Sequence, residues 1–520
     1  MRSRLWIAVA VLLALLVPCV AFAQAGASIT GVAKDESGAV LPGVSVEASS
    51  PVLIEKTRTA VTDSTGRYSI VDVRPGEYTV TFTLTGFSTV KREAVTVSGT
   101  GAIAVDATMK IGNVAETITV TSEAPTVDTQ TTTRETVMSQ DIVAAIPTSR
   151  NSFAVGVLIP GVTVSDGFGS FQDVGGALGP TTLALMAHGS RVSDQRQLVN
   201  GVALSTMIGG GWGGGAVPNA TGTAEFAIDT AAVDATAATG GVRINFIPRD
   251  GGNRFSGTLF GAYAGSSFAS NNYDADLKAR GLSAPGNIKM NSDFNPGMGG
   301  PLVKDKLWFF VSGRYQAADN YVPGMFYNQN ANNPNSFVYV PDTSRQAIAP
   351  RRFQVYQGRL TYQANPKNKF GLTYDLESNC FCPDNVSALR TPEAADDRRF
   401  PLQRFIQVDW NTPISSKLLL EVSGIHRVER WGGMHLQTGN AGNITALDPR
   451  MVGIVDVANA NFTYRAAAQG LAPGSPPFNN SWNNNLHYRA ALSYITGSHV
   501  VKVGFNNAWG YFDNTAYTGP

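Results

Sequence analysis

Between residues 254 and 512 the chain carries nine stretches whose side chains alternate apolar and polar: 254–264, 292–300, 306–317, 353–363, 369–379, 402–411, 416–429, 485–495 and 499–512. The connections between them alternate as well. Short turns fall at 301–305, 364–368, 412–415 and 496–498, and long polar connections at 265–291, 318–352, 380–401 and 430–484. No other feature constrains the fold as tightly. Antiparallel strands that cross a bilayer as a barrel need this rhythm, because tight turns lie on one side of the membrane and long loops on the other. A water-soluble sandwich has no reason to keep it.

The hairpin at 292–317 shows what such strands present. Leu307, Phe309, Val311, Gly313 and Tyr315 share one face; Trp308, Phe310, Ser312, Arg314 and Gln316 share the other. The first face suits lipid. The second begins aromatic and ends polar, as a wall facing a wet interior does. Leu418, Leu420 and Val422, and then Val501, Val503 and Phe505, are expected on the lipid side.

The totals agree with a β protein. Forty basic residues balance 39 acidic ones, which leaves no field to attract nucleic acid. After the first residues no apolar run reaches the roughly 20 that a spanning helix needs. Residues 1–23 read as a secretory signal peptide: Arg2 and Arg4, an apolar core at Ile7–Val17, and Ala21-Phe22-Ala23 before the cleavage point. Cys19 leaves with it. Cys380 and Cys382 remain, and in an oxidising compartment they form either a small loop disulfide or two free thiols. The five histidines are scattered without metal-ligand spacing, and no nucleophile elbow is present. The expectation is therefore no enzyme, no metal and no cofactor.

Residues 24–110 read as a small β-sandwich. Alternating runs are cut by turn signals at Asp35-Glu-Ser-Gly38, Leu41-Pro-Gly43, Asp63-Ser-Thr-Gly66, Arg74-Pro-Gly76 and Leu84-Thr-Gly86. On Ile29–Asp35, Leu41–Val46, Thr62–Tyr68, Gly76-Glu-Tyr78 and Gly86-Phe87, this stretch resembles the carboxypeptidase regulatory-like domain. It carries no zinc-peptidase ligands, so a spacer or docking role is expected. Residues 111–133 are Thr-rich and interrupted by Pro125, which reads as a linker. Within it lies Glu116-Thr117-Ile118-Thr119-Val120. A β-prone exposed segment of this kind adds itself to another protein's sheet edge; the same five residues also suit the last strand of the preceding sandwich, or plain linker.

Residues 134–252 carry Ile146–Arg150 with Leu158–Val162, His188-Gly-Ser-Arg191, Gln197-Leu-Val-Asn-Gly-Val202, and Gly240–Arg249 followed by Gly251–Gly257. In that order they resemble the plug domain of TonB-dependent outer-membrane receptors of the Oar-like group. Gly299–Phe310 resembles the start of that group's barrel. The resemblance implies a small α+β plug, with 253–520 as the N-terminal part of a transmembrane β-barrel. It also implies that Glu116–Val120 is the TonB box, the segment offered to TonB and its inner-membrane energising complex. It places the protein among outer-membrane lipid in a Gram-negative cell, the N-terminal domain periplasmic, with an unidentified extracellular ligand.

Arg150, Arg191 and Arg243 are expected to tie the plug to inward groups of the wall. Asn200 stands where the family more often has Asp, and with Gly201 it makes a strong tight-turn pair. Trp212, in a run of glycines, is either a ligand-touching loop residue or part of a surface loop. Nine strands do not enclose a plug of this size, since plugged transporters use about 22. The chain is thus expected to be the first part of a longer barrel, with roughly a dozen strands to follow. The competing reading of the whole is a secreted or surface-attached β-sandwich protein for adhesion or carbohydrate binding, its later strands all soluble.

Overall fold

The computed structural model describes residues 27–517 apart from interior stretches, the longest being 121–133, 166–175, 177–183, 206–215, 436–451 and 466–477. The signal peptide, Glu116 and Trp212 lie outside the described residues.

The first unit is a sandwich. Its strands are β1 (Ala27–Asp35), β2 (Ser45–Ser49), β3 (Thr57–Val61), β4 (Arg67–Val73), β5 (Gly76–Thr83), β6 (Thr89–Val97), β7 (Ala102–Ala104), β8 (Ala107–Met109) and β9 (Thr117–Val120). One sheet runs β3-β2-β5-β6-β9; the other runs β4-β1-β7, with β8 also on β1. Alternation does what it should: Tyr78, Val80 and Phe82 of β5 are fully buried, against Val46 and Val90 of the neighbouring strands. Tyr68 is buried too and donates its hydroxyl to the Val105 carbonyl at 2.7 Å; burial pushes its pKa up. The two Asp-x-x-Gly signals are side-chain-capped turns. Asp35 Oδ1 accepts from the amides of Ser37 and Ala39, and Asp63 Oδ1 from those of Thr65 and Arg67. In both, the glycine that follows takes a positive φ, 89° at Gly38 and 70° at Gly66.

The second unit contains β10 (Arg134–Ser139), β11 (Val162–Ser165), β12 (Ala184–Ala187), β13 (Arg196–Val199), β14 (Val202–Ala203), β15 (Thr223–Ala231) and β16 (Arg243–Pro248), with short helices at Gln140–Ala145 and Ser152–Gly156. Its main sheet runs β10-β15-β16-β13-β14, mixed because β13 lies parallel to β16. Ser139 caps the first helix by accepting from the Ile142 amide. The apolar core around Phe226, Ile228, Ile244 and Phe246 runs on into Phe353, Val355, Phe405 and Ile425 of the third unit, so the two units share one core.

The third unit is an open antiparallel sheet of nine strands in sequence order: β17 (Ser256–Gly265), β18 (Ile288–Val303), β19 (Leu307–Asn328), β20 (Pro341–Asn365), β21 (Asn368–Asp384), β22 (Asp396–Ser415) and β23 (Leu418–His435), then β26 (Phe478–Thr496) and β27 (His499–Tyr517). A separate hairpin, β24 (Ile454–Asp456) with β25 (Phe462–Tyr464), lies in the connection after β23. All nine expected strands are present, and all but β17 are longer than their patterns suggested. At 22 residues β19 spans roughly 70 Å, well beyond the ~25 Å apolar band of an outer-membrane barrel.

Inner and outer faces divide as the period-two reading requires. Trp308, Phe310, Ser312, Arg314 and Gln316 are buried inward, while Val311 and Tyr315 are exposed outward. Leu360, Leu372, Tyr374, Val408, Leu492, Val501, Val503 and Phe505 continue the outer apolar belt, and Glu421 points inward between Leu420 and Val422. An apolar belt across a whole sheet defeats the soluble-strand reading, because water would face a contiguous patch far larger than soluble monomers carry. Cys380 and Cys382 are disulfide-bonded, but inside β21 and not in a loop, since pairing with β20 reaches Phe381 and pairing with β22 extends to Asp384.

Candidate functional site

The inner face of the sheet is a ladder of buried side chains in register across β21, β22, β23 and β26. Glu377, Gln403, Glu429 and Asn483 form one rung. Asp375, Phe405, Arg427 and Asn485 form the next, then Thr373, Gln407, Ile425 and His487, then Gly371, Asp409, Ser423 and Arg489. Against these rungs sits the plug hairpin β13–β14, whose tip is the Asn200-Gly201 turn. Both residues have positive φ, 48° and 75°, the geometry for which Asn-Gly is preferred.

The wall holds this hairpin by its main chain. Gln407 Nε2 donates to the Val199 carbonyl at 2.7 Å, Arg489 Nη1 to the Gly201 carbonyl at 3.0 Å, and Arg427 Nη1 to the Leu204 carbonyl at 2.5 Å. Asn485 Nδ2 donates to the Ser205 carbonyl at 3.2 Å, and His487 Nε2 lies 3.2 Å from the same oxygen. Further round, both carboxylate oxygens of Glu377 accept from the Val217 amide at 3.0 and 2.9 Å. Arg314 Nη2 donates to the Ser149 carbonyl at 2.9 Å while its ion pair with Asp293 fixes the guanidinium. Asn219 of the plug and Asn295 of β18 exchange amide hydrogen bonds at 3.0 and 2.9 Å. Loop carbonyls have no sheet partner, and buried ones require a donor. Long wall side chains supply it.

The expected plug arginines behave differently from one another. Arg150 does reach the wall, its guanidinium 3.8 Å over the Phe260 ring of β17, through an aromatic face and not a carboxylate. Arg191 is a correction: it is exposed at the head of the turn Val192–Asp194, where its main-chain amide donates to Asp194. Arg243 is also corrected. It is buried inside the plug sheet opposite Asp229, with Nε 3.9 Å from that carboxylate, because the β15–β16 register sets the two side by side. Asn200 and Gly201 sit where the turn signal put them. The residues missed were the wall cations Arg314, Arg359, Arg427 and Arg489. Their inward parity on otherwise lipid-compatible strands was the available signal.

Where the plug joins the sheet, Asp250 is held by Arg359 at 2.5 Å and by the Thr361 hydroxyl, and Arg359 also pairs with Asp409 at 3.1 Å. In the first unit, Thr117–Val120 is an edge strand of the sandwich. It pairs in parallel with β6, Thr89 opposite Thr117 through Arg92 opposite Val120. The sandwich in turn touches the rim of the sheet. Asp63 shapes its own turn with Oδ1 and accepts from Lys417 Nζ with Oδ2 at 2.8 Å, at the β22–β23 turn. The Lys417 ammonium, with the Thr65 hydroxyl, holds the Asp63 carboxyl well below the usual carboxylate range.

Residues 28–110 match the carboxypeptidase regulatory-like domain. Over 372 residues (66% of this chain and 33% of the other), the chain is 27% identical to the TonB-dependent transporter Oar of Myxococcus xanthus. The chain spans about a third of that curated relative's length. Among solved structures, it resembles the outer membrane transporter YddB of Escherichia coli at a TM-score of 0.47 and 12% identity, over 73% of this chain and 48% of that one. It also resembles the siderophore receptor PirA of Acinetobacter baumannii at 0.43 and 14%, over 69% and 45%.

Proposed function

We propose that this chain is the N-terminal part of a TonB-dependent receptor and transporter of the outer membrane, carrying an as yet unassigned ligand across it at the expense of TonB-delivered force. The observation that carries the reading is the seat. The plug unit fills the inner face of a sheet whose outer face is an apolar belt, held there by many hydrogen bonds and by an apolar core that runs on into Phe353, Val355, Phe405 and Ile425 of the wall. Such a unit is a stopper that force can shift. The similarity to the transporter Oar supports the same reading. In it, Glu116–Val120 is the segment offered to TonB, the regulatory-like domain is periplasmic, and Arg150, with the wall cations, keeps the plug seated.

The test is a fractionation followed by capture. Outer membranes from producing cells are solubilised, and the purified periplasmic domain of TonB is used as bait. The protein should be found in outer membranes and be captured, and Ile118→Pro should abolish capture because proline cannot donate to an added ladder. A protein found in the soluble fraction, or capture indifferent to Ile118→Pro, would overturn the reading.

A further inference from the structure

A guanidinium that faces hydrocarbon is costly unless something meets it. Arg404 of β22 and Arg430 of β23 stand on the outer face of the sheet. Their chain neighbours point inward: Gln403 and Phe405 beside Arg404, and Glu429 beside Arg430, are each at most 2% exposed. Across the strands the two arginines share their face with Leu376 and Val428. They also share a height. Arg430 is the thirteenth residue of β23 counted from Leu418, and Arg404 is the twelfth of β22 counted back from Ser415. At about 3.3 Å per residue and a tilt near 40°, both stand roughly 30 Å from that turn, at the far edge of a ~25 Å apolar band. Arg404 faces Val428 while Leu402 faces Arg430. The two arginines are therefore diagonal neighbours, about 7–8 Å apart.

Charge sets this pair apart. Two other arginines near the same rim are neutralised by carboxylates, Arg352 by Asp319 at 2.5 Å and Arg399 by Asp397 at 2.6 Å. Among the described residues, neither Arg404 nor Arg430 has an ion-pair partner. Arg404 Nε is buried with no hydrogen-bond partner. Arg430 Nε donates to Asn480 Oδ1 at 2.9 Å, and its guanidinium lies 5.3 Å from the centre of the Trp482 ring. Those contacts orient the group and leave its charge. Asp513 lies opposite Trp482, two strands away from Arg430.

We propose that Arg404 and Arg430 bind the phosphorylated headgroup of an outer-leaflet lipid. Guanidinium forks match phosphate oxygens. The apolar belt directly beneath, at Leu376, Val408 and Val428, takes the acyl chains, which is why the anion is that of a lipid and not a free one. On their other face the same two strands present Gln407 and Arg427 to the plug hairpin, so a headgroup bridging β22 and β23 braces the part of the wall that holds the plug. The proposal rests on the reading of the sheet as a membrane wall.

The test uses the whole protein extracted from outer membranes into neutral detergent. Diphosphorylated lipid A is titrated in, and the same glycolipid stripped of its phosphates serves as the comparison, with bound lipid read by native mass spectrometry. Wild type should prefer the phosphorylated form. Arg404→Gln with Arg430→Gln should weaken that binding about 10-fold or more and leave the stripped lipid unaffected. Arg352→Gln, which removes an arginine already paired, should change it little. Wild type that binds both lipids equally overturns the proposal whatever the variants do, and so does a double variant that keeps the preference. Competition by millimolar inorganic phosphate alone would show a site for free anions and overturn the lipid assignment. A protein recovered in the soluble fraction removes the membrane wall itself; a protein in outer membranes without the preference removes only this site.

Discussion

Gly201→Ala should unseat the plug hairpin, and the structure gives the size of the effect. Gly201 has φ 75°, so a side chain there adopts the left-handed region at a cost of ~1–2 kcal/mol. Its new Cβ would lie 2.8 Å from Arg489 Nη1 and 3.1 Å from Cζ, so the guanidinium must move. Arg489 would then lose its bond to the Gly201 carbonyl, and a hydrogen bond to a charged group contributes about 1.5–3 kcal/mol. Glu421, the other partner of Arg489, keeps Lys502 at 2.5 Å, so no buried carboxylate is stranded. The sum is about 2–5 kcal/mol of local opening. Amide hydrogen exchange over residues 196–205, on protein in detergent, should accelerate by about 30-fold or more, since each 1.4 kcal/mol is tenfold. In an Arg489→Ala background the same substitution should cost only the backbone term, ~1–2 kcal/mol. Unchanged exchange in Gly201→Ala, or an equal effect in both backgrounds, would refute the reasoning.

Glu377→Ala leaves the buried Val217 amide without its acceptor, and should cost about 1–3 kcal/mol in thermal unfolding of the seated plug, whereas Glu377→Gln should cost less. Val422→Arg places a charge on the lipid side of β23 and should lower folding stability in bilayers by roughly 2–4 kcal/mol near the midplane; a neutral result would put that face elsewhere. The Asp63–Lys417 contact is partly exposed, so Lys417→Ala should change global stability by less than about 1 kcal/mol, yet loosen the sandwich from the rim, read as increased cross-linker reach. The Asp63 pKa is depressed in the folded chain, so the contact is fully present above the ordinary carboxylate pKa and is lost as pH falls through the lowered one. Docking should thus be flat across neutral and mildly acidic pH and weaken in strongly acid solution and in high salt.

The sheet was legible because its physics is repetitive. Each strand separates lipid from an interior with period two, and a residue such as Glu421 between Leu420 and Val422 declares its face at once. The Asn200-Gly201 and Asp63–Gly66 turns were legible because one backbone geometry demands those residues. The seat was not. Arg191 and Arg243 were expected at the wall because a guanidinium there can meet carboxylates and carbonyls, but the donors run the other way, from wall side chains to the plug's own carbonyls at Val199, Gly201 and Leu204, and carbonyls leave no mark in a sequence. The placement of 117–120 could not be decided either, because an edge strand of one's own sandwich and a strand awaiting a partner have the same alternation.

The wall grips the plug hairpin by oxygens that every amino acid carries. The polar part of the fit therefore depends on the path of the plug's backbone, while Val199, Val202 and Leu204 of the hairpin add apolar contact in the core shared with Phe405 and Ile425 of the wall. Provided the turn at Asn200-Gly201 keeps its shape and the buried positions around it stay apolar and of similar volume, a plug of foreign sequence but equal trace would still find its place. Mutational tolerance should be uneven as a result: strict at the inward arginines and glutamine of the wall and at the buried Val199, Val202 and Leu204, laxer at the half-buried Arg196 and Ala203.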